Sequence, residues 1–148
     1  LEKPTNLGSA VNSKSDDITP VISPDGQGIY FSRRYHPQNV GGPSDVQDVY
    51  FSELDGGKWT PAKNMGSPIN NHGPNAVCSV TPDGNTLLLI NTYYPDGKQK
   101  GQGLSMSKRT KTGWSTPEEL RIQGFYNKKK KALTLKFDIE KKRELIRK

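Results

Sequence analysis

Residues 23–32 read Ser-Pro-Asp-Gly-Gln-Gly-Ile-Tyr-Phe-Ser. Because proline presets its backbone φ and glycine readily takes a positive φ, Pro24-Asp25-Gly26 predicts a tight turn. Residues 19–22 before the turn and residues 28–32 after it are rich in apolar side chains, so the stretch predicts a β-hairpin. Its second strand is apolar on both faces, which is typical of a strand covered on both sides.

The hairpin pattern recurs in the second half of the chain, at an offset of 58. Thr81-Pro82-Asp83-Gly84 stands over residues 23–26, and Leu87-Leu88-Leu89 stands over residues 29–31. Residues 6–13 match residues 64–71 at the same offset, and a tryptophan segment at 58–61 matches residues 113–117 at an offset of 55. Landmarks that agree in order and in spacing indicate an internal repeat.

Each repeat predicts four short antiparallel strands. In the first repeat they lie at residues 19–22, 28–32 and 48–52 and at Trp59, and in the second at 76–80, 86–91 and 103–107 and at Trp114. Four antiparallel strands in so short a unit are typical of one β-propeller blade. We therefore expect an all-β chain with a partial propeller over residues 1–127, its blades near 12–63 and 70–121.

Composition agrees with turn-rich β structure. The chain has 148 residues with 15 Gly and 11 Pro, which predicts one small domain without long helices. Its longest apolar run, residues 87–90, is too short to span a membrane. The single cysteine, Cys78, cannot form a disulfide within the chain, and we expect it to be buried and inert. Two histidines without metal-ligand spacing predict no metal and no cofactor.

The net charge of +7 belongs to the last residues of the chain. Residues 128–148 hold ten Lys and Arg against three Asp and Glu, so the remainder is neutral. The basic character therefore predicts no basic binding face on the body and no nucleic-acid partner. Residues 124–127 align with the Asn70 region at an offset of 57, but no third Pro-Asp-Gly follows.

Three interpretations of residues 128–148 stay open. Leu133, Leu135, Phe137 and Ile139 alternate with polar residues, which favours the first strand of a degraded third blade. A frameshift in an adenine-rich stretch or a cloning artefact would also explain the break, and so would a genuine basic tail. About two blades and a remnant cannot close a ring, which normally needs four to eight blades.

An open ring would leave apolar blade faces in water. At about 25 cal/mol per Å² of apolar surface, one blade face is worth on the order of 10 kcal/mol. We therefore expect two bare faces that lead to self-association, or else packing of residues 132–148 over one face with Leu133, Leu135, Phe137 and Ile139 turned inward.

The pattern at residues 18–32, followed by Asp48-Val49-Tyr50-Phe51-Ser52, resembles the WD-repeat-like β-propeller of the TolB type. The Asn-x-Gly-x-x-x-Asn segment before the first strand and the Trp-x-x-Pro closing strand are similar to propellers of secreted and outer-membrane-associated bacterial proteins. The resemblance implies a non-catalytic scaffold that binds protein partners in the cell envelope, either periplasmic or associated with the outer membrane. The alternative that it implies is an accessory propeller of a serine peptidase or other hydrolase, with the catalytic domain outside this chain.

In such a propeller, the loops between strands two and three and between blades form the usual ligand face. The candidate binding residues there are Arg33, Arg34, Tyr35, His36, Asn71, His72, Tyr93 and Tyr94. Arginine forks and aromatic planes favour carboxylates, sugars or peptides. The structural alternative is that the tyrosines pack on neighbouring loops, the arginines are solvated, and asparagines such as Asn12, Asn70 and Asn71 bond turn backbone.

Other polar and aromatic residues favour structural roles. Asp16, Asp17, Asp45 and Asp48 supply the oxygen atoms that calcium prefers, but their spacing fits no EF-hand loop, so bonding within loops is favoured. Trp59 and Trp114 repeat with the blade and predict packing. The chain has no Gly-x-Ser-x-Gly elbow, and neither His36 nor His72 lies in a nucleophile motif, so we expect no enzyme activity.

Overall fold

A computed structural model describes residues 3–121, which form two antiparallel β-sheets. Sheet I contains β1 (Asp17–Ile22), β2 (Gly28–Arg33), β3 (Asp48–Asp55), β4 (Lys58–Trp59) and β5 (Lys63–Asn64). Sheet II contains β6 (Val77–Val80), β7 (Thr86–Tyr93), β8 (Gln99–Thr110), β9 (Gly113–Trp114) and β10 (Glu118–Glu119). The helical part of the described residues is one 3-10 turn, Gly42–Ser44. The predicted all-β class is confirmed.

The two sheets share one topology. Sheet I has the order β1-β2-β3-β4 with β5 also against β3, and sheet II has the order β6-β7-β8-β10 with β9 also against β8. Neither sheet closes on itself. The predicted closing strand is split in two in each sheet, because Pro61 and Pro117 lie in the gaps and proline has no N–H to donate to a ladder. Strand β8 is longer than the predicted 103–107.

Both Pro-Asp-Gly sequences form hairpin turns, as predicted. The N–H groups of Gly26 and Gly84 donate to the carbonyl three residues back at 2.9 and 2.8 Å. These glycines have φ of +71° and +70°, the left-handed region that glycine enters without a steric penalty. The side chains of Asp25 and Asp83 each accept a 3.0 Å bond from the N–H two residues on, which closes the turns.

Two apolar clusters bury sheet I on both faces. The cluster between the sheets consists of Tyr30, Val49, Ile69, Val77, Leu87 and Leu89. The cluster on the opposite face of sheet I consists of Val11, Ile29, Phe31 and Tyr50, with Trp59 and Ala62 against it. All six residues of β2 are buried, which confirms the prediction of a strand covered on both sides. Trp114 packs against the first cluster, so both tryptophans have the packing role that their repetition predicts.

The sequence repeat is also a repeat of contacts. Val11 and Ile69, which occupy equivalent positions in the repeat, each bury their side chains in one of the two clusters. The Nδ2 of Asn12 donates to Asn6, and the Nδ2 of Asn70 donates to the equivalent Asn64, at 2.7 and 2.8 Å. Residues 6–12 are therefore placed against sheet I as residues 64–70 are placed against sheet II.

Two expectations about exposure need correction. Two bare sheet faces were expected, but Val11 and Trp59 cover the outer face of sheet I, so only sheet II has an open face within the described residues. Cys78 was expected to be buried, and it is exposed. Strand β6 carries an irregularity between Val77 and Ser79, and Cys78 lies at it while Val77 enters the core.

The predictions for residues 122–148 lie outside the described residues. This applies to the degraded third blade, to the basic tail and to the end of the predicted propeller at 127. Within residues 3–121, no helix is long and apolar enough to cross a membrane.

Candidate functional site

The predicted binding residues lie at one end of the two sheets, which we call the loop end. It consists of the β2–β3 loop (residues 34–47), the connection between the sheets (65–76) and the β7–β8 loop (94–98). Seven large apolar side chains are exposed in the described part of the chain, and four of them, Tyr35, Val40, Val46 and Tyr94, lie in these loops. The opposite end, which carries both Pro-Asp-Gly turns, we call the turn end. Of the seven exposed side chains, only Ile22 lies beside it.

A cavity of about 280 Å³ opens between the three loops. Its lining includes Asn71, His72, Tyr93 and Tyr94, four of the residues that the sequence singled out. Val40, three prolines (Pro68, Pro95 and Pro117) and Asp96 complete most of the wall. The wall of the cavity therefore mixes apolar and aromatic side chains with polar ones, the polar set being Ser67, Asn70, Asn71, His72, Asp96 and Thr116.

The rim of this cavity carries one negative charge. The carboxylate of Asp96 accepts a 3.0 Å bond from the backbone N–H of Lys98, and this bond lowers the pKa of Asp96 below its ordinary 3.8. The ammonium group of Lys98 lies 3.3 Å from the same carboxylate, and both groups are exposed. Beside them, Tyr94 is 51% exposed and His72 is exposed, so the cavity is open to solvent on this side.

Arg33 is turned into the protein. Its Nε lies 2.7 Å from Oδ1 of Asp17, and its Nη2 donates to the carbonyl of Val11 at 2.7 Å. The guanidinium lies 4.4 Å from the ring centre of Tyr50, and Arg33 is only 6% exposed. Its contacts are therefore those of a structural residue that fastens the segment around Val11 to sheet I.

His36 also belongs to a network inside the loop. Its Nδ1 accepts a 3.1 Å bond from the N–H of Gln38 and lies 3.2 Å from the hydroxyl of Tyr50, which donates to Asn39 at 3.0 Å. Burial lowers the pKa of His36 below its ordinary 6.5, and the positive charge of Arg33 acts in the same direction. Its hydrogen bonds therefore order the β2–β3 loop, and burial favours the uncharged form of the imidazole.

Tyr35 stands out from this loop. It is 50% exposed, and its φ of +49° lies in the left-handed region that bulky residues rarely adopt. The guanidinium of Arg34 lies 5.3 Å from its ring centre, within the range of a cation–π contact. Tyr93, by contrast, is 8% exposed and its hydroxyl lies 3.0 Å from the carbonyl of Ile90, so Tyr94 is the exposed member of that pair.

Two aspartates hold the β2–β3 loop in place, the role that the sequence favoured for them. Asp45 accepts a 2.9 Å bond from the N–H of Gly41, and Oδ2 of Asp48 accepts 2.7 Å bonds from the N–H of Val40 and from Asn64. Asp48 is fully buried and its Oδ1 has no hydrogen-bond partner. Burial raises the pKa of Asp48 above its ordinary 3.8.

Several residues of the loop end have no signal in the sequence. Val40, Val46 and Asp96 are ordinary loop residues, and only the fold shows that they lie at the same end as Tyr94. A second cavity, of about 180 Å³, lies at the turn end, where Tyr30, Phe51 and Arg109 face the turns of Asp25 and Asp83. The repeat predicted both turns, but nothing in it predicts the cavity between them.

Comparisons with protein-family models, with curated proteins and with solved structures found no match. Within residues 3–121, no three His, Cys, Asp or Glu side chains are grouped so that they could hold a metal ion.

Proposed function

We propose that this chain is a non-catalytic module that binds a protein partner at its loop end. The observation that supports this proposal is that Tyr35, Val40, Val46 and Tyr94 are all exposed in the loops of one end, where Val40 and Tyr94 also line the cavity. Exposed apolar side chains that cluster on one surface mark interaction sites, whereas scattered ones need no explanation. Tyrosine in particular is enriched in protein interfaces, because its ring buries apolar area and its hydroxyl stays hydrogen-bonded.

The loop end is organised before any partner binds. Asn39, Asp45 and Asp48 are buried and hold the β2–β3 loop through hydrogen bonds to its backbone and side chains. Loops that are already ordered lose less conformational entropy on binding, which favours affinity. The left-handed φ of Tyr35 supports the same view, because strained residues persist where the surroundings hold them and concentrate at functional sites.

The fold that we propose for the module is a partial β-propeller of the TolB type, with sheets I and II as two blades. Two observations support this fold: the two sheets share one strand order, and the equivalent residues Val11 and Ile69 are each buried in a cluster against their sheet. Repeated sheets that stack in one direction are the arrangement of propeller blades. With the resemblance at residues 18–32, this favours a location in the bacterial envelope, periplasmic or associated with the outer membrane. Both assignments are part of the proposal.

Binding is favoured over catalysis by the state of the candidate residues. His36 is engaged by Gln38 and Tyr50 rather than by a nucleophile. Although Cys78 is an exposed residue, partial burial of its thiol raises the pKa of that thiol above its ordinary 9.0, which disfavours the reactive thiolate. The residues that remain open at the loop end, Tyr35 and Tyr94 above all, are suited to contact.

The test is affinity capture with matched variants. Immobilised wild-type protein, Tyr35→Ala/Tyr94→Ala and Ile22→Ala are each exposed to a bacterial envelope extract. Ile22 is the control because it is 53% exposed but lies beside the turn end. We expect the same protein to be captured by the wild type and by Ile22→Ala, and at least ten-fold less of it by the double variant. Equal capture by all three, or loss with Ile22→Ala alone, would contradict the proposal.

A further inference from the structure

Sheet II has an open apolar face. The register pairs Leu88 with Met106 and Ile90 with Leu104, so these four side chains share one face, opposite to the face of Leu87 and Leu89 that packs on sheet I. Ile90 is 37% exposed, Leu88 and Met106 are half-buried, and Leu104 is 8% exposed, so the face is open mainly around Ile90. The face is apolar, yet nothing in residues 3–121 lies over it as sheet II lies over sheet I.

The repeat shows what an equivalent face carries. Leu88 and Leu104 correspond to Tyr30 and Val49 of sheet I, which are 2% and 0% exposed because sheet II covers them. Strand β6 makes the first part of that cover, since it packs against β1 and β2, and Val77 at its start enters the core. By the same repeat, a strand that covered sheet II as β6 covers sheet I would lie against β6 and β7, the equivalents of β1 and β2.

The last described residues leave sheet II by the same hydrogen bond with which the chain leaves sheet I on its way to sheet II. The N–H of Met65 donates to the carbonyl of Val49 at 3.0 Å, and the N–H of the equivalent Leu120 donates to the carbonyl of Leu104 at 2.8 Å. Val77 follows Met65 by twelve residues. Twelve residues after Leu120 comes Ala132, the start of the alternating run Ala-Leu-Thr-Leu-Lys-Phe-Asp-Ile at 132–139.

We propose that the open face of sheet II is the docking surface for residues 132–139 of the same chain, with Leu133, Leu135, Phe137 and Ile139 toward it. The run lies where the repeat places the next covering strand. Because its apolar residues alternate with polar ones, a strand of these residues would have one apolar face to pack on the apolar face of sheet II. The inference does not depend on the proposed partner at the loop end, since it concerns a different surface.

A segment of the same chain suits this surface better than a second copy does. Continued stacking of copies would need the outer face of sheet I, and Val11, Trp59 and Ala62 already cover that face. A tethered segment also has a high effective concentration at the surface, whereas a second copy must be supplied from solution.

Cys78 provides the measurement, because it is exposed on β6 and its Sγ lies 3.3 Å from the carbonyl of Leu88. In the full chain, we expect Leu135→Asp/Phe137→Asp to make the reaction of Cys78 with a thiol reagent at least ten-fold faster than in the wild type. Thr134→Asp/Lys136→Asp, on the other side of the run, is the control and should leave the rate within two-fold. A wild-type rate equal to that of the first variant would overturn the proposal.

Disulfide trapping gives a second readout that does not depend on a disruptive variant. Under mild oxidation at low protein concentration, Leu135→Cys should form a bond with Cys78 within one chain, and Lys136→Cys should form it much more slowly. Equal rates for the two variants would overturn the proposal. Crosslinks mainly between chains, with a protection of Cys78 that grows with protein concentration, would also overturn it and would assign the face to a second copy.

Discussion

Arg33 is the residue that joins the start of the chain to sheet I. Its partner Asp17 is also largely buried, with 14% of its side chain exposed, so removal of the guanidinium leaves a carboxylate with little access to water. We expect Arg33→Met to lower the free energy of unfolding by about 3 kcal/mol, the usual cost of breaking a buried pair. Urea denaturation checks this prediction.

Lys98 provides the control for that experiment. It pairs with Asp96 at 3.3 Å, but both side chains are exposed, and such pairs contribute little. Lys98→Met should change the free energy of unfolding by less than about 0.5 kcal/mol. Similar losses for the two variants would show that Arg33 is not the buried structural residue described here.

Asp48 gives a prediction about pH. Its pKa in the folded state is raised by burial, so its protonated form favours folding, and that contribution is present at low pH and lost as the pH rises through the folded-state value. An asparagine at this position would not ionise. We therefore expect Asp48→Asn to gain in melting temperature relative to the wild type by a few degrees between pH 3 and pH 7.

Asp96 should show the opposite sign. Its pKa is lowered, so its contribution to stability is present above its ordinary pKa and is lost as the pH falls. Asp96→Asn should therefore be slightly less stable than the wild type at pH 7 and equally stable at pH 3.

For Asp48, a melting-temperature difference between Asp48→Asn and the wild type that stayed constant with pH would show that burial does not raise the pKa of Asp48.

At the scale of elements, the close approach of β7 and β8 depends on Gly103. A Cβ at this position would lie 2.9 Å from Cγ2 of Thr92, and the φ of +157° is one that other residues rarely adopt. Thr92 is buried and β-branched, so it cannot easily move away. We expect Gly103→Ala to cost about 2 kcal/mol, measured by chemical denaturation.

Gly101 lies two residues away on the same strand and is the matched control. A Cβ there would meet nothing nearer than Oγ1 of Thr92 at 4.0 Å. Gly101→Ala should therefore be neutral or slightly stabilising, since alanine reduces the conformational freedom of the unfolded chain. Equal destabilisation by both alanines would locate the effect in the strand in general rather than at Gly103.

The elements that could be predicted are those with local chemistry. Pro-Asp-Gly specifies its turn through fixed φ values and an aspartate bond, and the repeat specifies the flanking strands, so both hairpins were predicted correctly. The exposure of Cys78 was not predictable, because the irregularity beside Val77 leaves no mark in the residue pattern. Asp17 and Arg33 are partners across the β1–β2 hairpin, but the hairpin alone does not show that both side chains are buried, because their burial depends on what packs around the sheet.

The candidate site shows the same division. Tyr35 and Tyr94 could be selected because aromatic residues follow the second strand of each repeat. Val40 and Val46 could not, since an apolar residue in a long loop has no pattern that shows whether it is buried or exposed. The structure adds Val40 and Val46 to the exposed residues of the loop end, removes Arg33 from them, and leaves Tyr93 in the cavity wall with only 8% exposure.

At the scale of the whole molecule, the two ends of the sheets have different surfaces. The turn end presents short hairpins with Asp25 and Asp83 and one cavity of about 180 Å³. The loop end presents long loops, exposed tyrosines and valines, and the larger cavity of about 280 Å³. Within residues 3–121, strands support both ends, but the loop end alone combines ordered loops with several exposed apolar side chains, and we therefore expect the partner to bind there.

The most direct measurement is an amide hydrogen-exchange footprint of the wild-type protein with and without its captured partner. We expect slower exchange on binding in residues 34–47 and 94–98, with little change in the turns at 23–27 and 81–85. Slower exchange confined to the turns would contradict it and would place the partner at the turn-end cavity.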